Sequence, residues 1–173
     1  IKFSISANLS AVQLRDTGLV SYLQACINNY GISPDKLELE LTESNLEKSL
    51  QAIHVLQELK GLGVNLALDD FGTGYSSMRF VQQLPFDRIK IDKSFVLAME
   101  EDAKSLAIVD AILRLGQSLS IPVVAEGVET EAQAMKLLEA KCQELQGYLI
   151  SRPGPIEERL LQADIEARAR GAA

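Results

Sequence analysis

No apolar run in this chain approaches the length needed to span a membrane, and no stretch has the pattern of a signal peptide. Basic runs are missing too, and the net charge of −7 argues against a protein that tracks the phosphates of a nucleic-acid polymer. Cysteine is scarce: Cys26 and Cys142 fall in helix-like segments without metal-ligand spacing. Both are expected as buried free thiols in a reducing compartment. The single histidine, His54, sits in mid-helix, where a solvated or capping role is expected. Repeats, low-complexity tracts and linkers are absent, so the 173 residues are read as one domain. The cytoplasm is the expected location, with membrane anchoring of a longer parent protein left open. Hydrophobic content of 47% and charged content of 24% are ordinary for a globular protein that buries a real core.

What is present is an alternation of strand-like and helix-like segments. Lys2–Ala7 reads as a strand ending in Asn8-Leu9-Ser10, followed by a helix from about Ala11 to Tyr30 that closes at Gly31. Lys36–Leu41 puts three leucines on one face, and Glu38 and Glu40 on the other. Ser44–Glu47 has the form of a capping box, opening a helix that Gly61 and Gly63 end. Val64–Phe71 is a third strand, leading into a glycine loop and a short helix, about Ser76–Leu84, stopped by Pro85. Arg88–Ile91 is the fourth strand, followed by a long helix over Asp102–Leu119. Pro122–Ala125 is the fifth, before a Thr130–Gln133 capping box and a helix to about Lys141. Leu145–Ile150 is the sixth, and Ile156–Ala169 closes as a polar helix. Strands alternating with helices through short connections predict an α/β protein with a parallel sheet.

The centre of the sequence is VNLALDDFGTGYSS, over Val64–Ser77. Adjacent carboxylates on a strand diverge unless the backbone turns, and the glycines that follow Asp69 and Asp70 supply the freedom to turn. Two anions at the mouth of a strand need a cation or donors to meet them, and Mg²⁺ or Mn²⁺ prefers such oxygens. Taken alone, the pair is more often a solvated turn. Asn8, Glu40, Lys90, Asp92, Glu126, Glu129 and Gln146 change those odds, because they too lie in or just after strands. That is where a (β/α)₈ barrel carries its active site, whereas a doubly wound sheet uses one crevice beside two strands. The spread over all six strands favours a TIM-like barrel. Convergent carboxylates would bind a pair of divalent ions, and Lys90 would orient or deprotonate an attacking water there, or serve only as a salt-bridge partner.

The runs NLS, ELTES, LALDDFGTGYSS, IKIDKSF, VVAEGVET and QGYLISRP, in this order, resemble the EAL-domain family of cyclic di-GMP phosphodiesterases. The resemblance covers nearly the whole chain. It implies a TIM-like barrel whose first strand runs against the others, and hydrolysis of cyclic di-GMP to linear pGpG with two Mg²⁺ or Mn²⁺ ions. Carried over by motif, Asn8, Glu40 and Asp69 hold the first metal, and Asp69 bridges to the second with Asp70 and Glu126. Lys90 positions the nucleophilic water and Gln146 assists it. Glu43 pins the glycine loop; Asp92 and Glu129 form the rim against the nucleotide, with Arg152 and Pro153 beyond. The resemblance also implies a homodimer through helix 102–119, whose apolar residues spread over most of its circumference. An upstream sensory or GGDEF-type domain is a further expectation.

Two departures stand out. Ile150 occupies a position where members often carry an aromatic, which removes one apolar contact expected for a guanine. The Glu-Ala-Leu signature, whose glutamate is a first-metal ligand, precedes the NLS strand in the family, and this chain begins at that strand. Six of eight strands are therefore expected here, and the 173 residues alone are expected to be inactive or nearly so. A catalytically silent receptor for cyclic di-GMP is the alternative; an enolase-like proton-abstracting barrel is a third reading that leaves the DDFGTG loop unexplained.

Overall fold

The computed structural model of the protein describes residues 4–47, 52–74 and 81–158. Among the described residues six strands, β1 (Ile5–Asn8), β2 (Leu37–Thr42), β3 (Asn65–Phe71), β4 (Arg88–Ile91), β5 (Val123–Ala125) and β6 (Glu144–Leu145), pair in sequence order, and every pair is parallel. The helices are α1 (Leu19–Tyr30), α2 (Glu43–Glu47), α3 (Ala52–Gly61), α4 (Lys93–Ala98), α5 (Ala103–Leu119) and α6 (Glu131–Glu139). Parallel neighbours joined through helical crossovers make an incomplete TIM-like barrel, as the alternation predicts.

The two faces of the sheet differ in chemistry. Leu39, Leu41, Leu66, Leu68, Ile89 and Ile91 point to the helices and are buried against residues such as Leu56, Leu59, Leu113 and Leu137. Each such side chain contributes about 1.5–3 kcal/mol through burial. The opposite face, toward the barrel axis, carries Glu38, Glu40, Asp69 and Lys90, all buried as well. The polar face of β2 was expected from its alternation; its burial comes from the curvature of the sheet.

Local signals explain most boundaries. Asp102 caps α5 by accepting from the Lys104 and Ser105 amides, and Thr130 and Gln133 form the expected capping box on α6. Ser44 instead lies inside α2, which begins at Glu43. The segment expected as one helix from Ala11 starts with a 3₁₀ turn at Gln13–Arg15, and α1 begins only at Leu19. Helix α4 was not expected; Asp92 caps it through the Ser94 amide. Strand β6 has two residues rather than six, because Gly147 packs directly on the Val128 backbone and the chain turns over Tyr148–Ile150. Most of the expected Ser76–Leu84 helix and the end of the Ile156–Ala169 helix lie outside the described residues, as does Tyr75.

Candidate active site

The Asp69-Asp70 pair sits on an irregularity in the sheet. Between the pairs Leu68↔Ile89 and Phe71↔Ile91, β3 advances three residues while β4 advances two. The extra residue makes a bulge, which re-aims side chains at a strand end. Asp70 takes φ 54°, left-handed backbone, and Gly72 takes φ 100°. The turn expected from the glycines therefore begins two residues before the first of them, at Asp70 itself. It brings Asp69, Asp70 and Glu126 together, with one carboxylate oxygen of each within 4.8 Å of the others. Gly74 does not have a positive φ; its hydrogen is needed because a Cβ there would collide with the Glu43 carboxylate. Glu43 Oε1 also accepts from the Gly72 amide at 3.0 Å, which ties α2 to the loop.

Lys90 stands in the middle of this mouth with its side chain 5% exposed. Its Nζ lies 2.8 Å from Glu40 Oε1, 2.6 Å from Glu126 Oε1 and 3.6 Å from Asp69 Oδ1. Burial alone would lower the ammonium's pKa. The hydrogen bonds to Glu126 and Glu40, together with the negative charge of Asp69, outweigh it and hold Lys90 above the usual lysine value. Burial raises the Glu126 carboxyl, opposed by Lys90. It also raises Asp70, where the nearby charges of Asp69 and Asp92 add to the effect. At Asp92, burial is outweighed by the Ser94 hydroxyl and amide, and its carboxyl is lowered.

Three carboxylates within one ion's reach, with the local ammonium shared among Glu40, Glu126 and Asp69, form an oxygen-only donor set that fits a hard divalent cation. Asn8 faces Glu40 across the β1–β2 ladder, and Glu40 is engaged with Lys90. Gln146 follows β6, its backbone fixed by Gln146 N donating to Ala125 O and Val128 N donating to Gln146 O. Glu129 is exposed beside it, and its amide donates to Gln133 Oε1. Glu126, Glu129, Gln146, Lys93, Leu97 and Tyr148 line a cleft of about 300 Å³. Arg152 and Pro153 are exposed, and the Arg152 guanidinium lies 5.0 Å above the Tyr148 ring. Tyr148 itself carried no role in the sequence reading, although its place in QGY beside Gln146 was the available signal.

The residues set aside behave as expected in part. His54 is solvated, 3.7 Å from Glu58. Cys142 is buried, but Cys26 is only partly so, which corrects the expectation of two buried thiols. Along α5, Val109, Ile112 and Leu113 are buried, and Leu106, Ile108 and Leu115 pack partly on the core, leaving Leu119 exposed at 44%. No helix among the described residues is long and apolar enough to cross a membrane.

A parallel α/β barrel with acidic residues and a lysine at its strand ends is the class this site defines. The chain belongs to the EAL domain family, which it matches over residues 1–153. It is 52% identical over 154 residues to an uncharacterized signaling protein of Caulobacter vibrioides, covering 88% of this chain and 19% of that protein. It is 42% identical over 159 residues to the bifunctional diguanylate cyclase/cyclic di-GMP phosphodiesterase MucR of Pseudomonas aeruginosa, covering 91% of this chain and 23% of MucR. A solved structure of the MucR phosphodiesterase in complex with c-di-GMP superposes with a TM-score of 0.85 at 41% identity, covering 90% of this chain and 63% of that one. The chain thus spans about a fifth of the length of these curated relatives.

Proposed function

We propose that the chain is the site-bearing part of a cyclic di-GMP phosphodiesterase domain that releases linear pGpG. The observation that carries this reading is the meeting of Asp69, Asp70 and Glu126 beside Lys90, in a family whose relative MucR is a phosphodiesterase solved with c-di-GMP. Asp69, Asp70 and Glu126 would hold one Mg²⁺ or Mn²⁺, and Asn8, Glu40 and Asp69 a second. Ions bound there would favour the hydroxide form of a water and screen the phosphate charge.

The chain's own residues account for the remainder. Lys90 would orient the attacking water through its ammonium and offset charge on the phosphate. Gln146 supplies a further hydrogen bond at the mouth. Glu43 fixes the loop and with it the Asp pair. The water oxygen bonds to phosphorus as the bond to one ribose oxygen breaks, and the proton that the water gives up is balanced by the one that this ribose oxygen takes up. Asp92, Glu129, Arg152 and Pro153 form the nucleotide rim.

The reading extends to assembly. The exposed Leu119 and half-exposed Leu106, Ile108 and Leu115 support a homodimer through α5, and monomers alone in light scattering would contradict it. An upstream sensory or GGDEF-type domain is in keeping with the two activities of MucR. Incubation of a complete domain carrying these residues with cyclic di-GMP and Mn²⁺, followed by chromatography, tests the central reading. Appearance of pGpG supports it; tight binding without product favours the silent receptor.

A further inference from the structure

A second charged layer lies beneath the one just described. Arg88 is two residues before Lys90 on the same face of β4. Its Nη1 lies 2.5 Å from Glu38 Oε2 and its Nη2 lies 2.8 Å from Glu144 Oε1. Ser6 Oγ donates to the other Glu38 oxygen at 2.9 Å. Each member precedes a member of the site by two residues: Ser6 and Asn8 on β1, Glu38 and Glu40 on β2, Arg88 and Lys90 on β4, and Glu144 on β6 with Gln146 just after it. The layers share a cleft of about 260 Å³. A barrel interior is ordinarily filled by branched apolar side chains, so a forked ion pair there calls for an explanation.

The strands it joins are not neighbours. β3 lies between β2 and β4, and β5 lies between β4 and β6. Ladder hydrogen bonds set the register of adjacent strands, but they do not set how far apart alternate strands stand across the interior. β6 is short: it pairs with β5 at Val124↔Glu144 and Ala125↔Leu145, and the backbone bonds between Gln146, Ala125 and Val128 continue the connection. The planar guanidinium offers donors in a fixed fork, so it imposes direction as well as attraction on both glutamates. Glu38 is 5% exposed in its side chain and Glu144 46%, so the fork is anchored inside the barrel and reaches outward to the two-residue strand β6.

We propose that Arg88, with Glu38 and Glu144, is a positioning bridge that sets where β6 places Gln146 relative to Lys90 and Glu40. Its consequence for turnover rests on the phosphodiesterase reading above; its consequence for β6 rests on geometry alone. Glu144→Ala is the first test, because Glu144 is half exposed and its loss does not strand a buried charge. Misplacement of a group at the reacting centre lowers kcat about tenfold while KM changes little. Glu144→Gln restores the rate, since its amide oxygen still accepts from Arg88. Arg88→Lys does not, because a compact ammonium lacks the two separated planar donor nitrogens with which the guanidinium reaches both glutamates.

Amide hydrogen exchange on the same proteins gives a readout independent of activity. The Gln146 amide bonds to Ala125 O and the Val128 amide to Gln146 O, so both exchange faster in Glu144→Ala while core amides on β2 and β3 do not. Unchanged exchange at Gln146 and Val128 in that variant would overturn the bridge, whatever the rate does. A parent domain without hydrolysis would sink the phosphodiesterase reading and leave the exchange comparison to decide the bridge.

Discussion

The carboxylate of Glu43 occupies the space that a side chain on Gly74 would need, while its other oxygen accepts from the Gly72 amide at 3.0 Å. The glycine loop and helix α2 are thereby interlocked, and the Asp69-Asp70 bulge lies immediately before the loop.

Gly74→Ala should therefore act on the site through Glu43. The added methyl displaces the carboxylate, the Gly72 hydrogen bond is lost, and Asp70 loses the support for its left-handed backbone. Such a bond to a charged group contributes about 1.5–3 kcal/mol, so a fall in kcat of about tenfold or more is expected. Steady-state kinetics with cyclic di-GMP checks this, and a near-parental rate would show that the loop does not govern the site.

How far this was legible varied with the range of the interaction. The parallel strand–helix alternation, the Thr130–Gln133 capping box and the acidic cluster follow from local pattern, because alternation and capping act within a few residues. The bulge could not be read: the loop that follows the left-handed Asp70 is tied to Glu43 through the Gly72 amide, across 29 positions of the chain. The bridge at Arg88 escaped for the same reason, its partners being 50 and 56 residues away. Helix α4 was missed because a short element gives little periodicity, and β6 was overextended because the close approach of Gly147 to Val128 is a tertiary fact.

Asp69→Ala removes the carboxylate that both proposed metal ions share. Turnover should fall to background, since two-metal catalysis depends on ion spacing as well as charge. Hydrolysis near the parental rate would show that Asp69 is not the bridge.

Lys90→Ala should lower kcat by far more than it weakens nucleotide binding, because the proposed partner is the attacking water. It also leaves Glu40 and Glu126 without their shared cation, and breaking a buried pair costs about 3–5 kcal/mol, so the metal-free variant should melt earlier. The raised pKa of Lys90 sets the pH window. Stability from this ammonium is complete below the ordinary lysine value and is lost only as pH rises through the higher folded value. Across neutral pH the melting difference between parent and variant should stay flat, and a difference that vanished there would contradict a protonated Lys90.

Asp102 supplies a pH dependence of opposite sign. Hydrogen bonds from the Ser105 hydroxyl and the Lys104 and Ser105 amides hold its carboxyl below the ordinary aspartate value. Its capping contribution is present above the unfolded value and disappears as pH falls through the folded one. Asp102→Ala should lower Tm at neutral pH, with the gap closing in acid. A gap that persists there would mean the cap does not depend on charge.

The claim that the Asp69, Asp70 and Glu126 cluster is a metal-dependent hydrolytic centre is tested most directly by one titration. Product from cyclic di-GMP is measured in a complete domain as Mn²⁺ is added back after chelation, for the parent and for Asp70→Asn. The parent should form pGpG in proportion to bound metal, and the variant should need far more Mn²⁺ for a much lower rate. Full hydrolysis in chelator, or identical metal curves for the two proteins, would contradict the account.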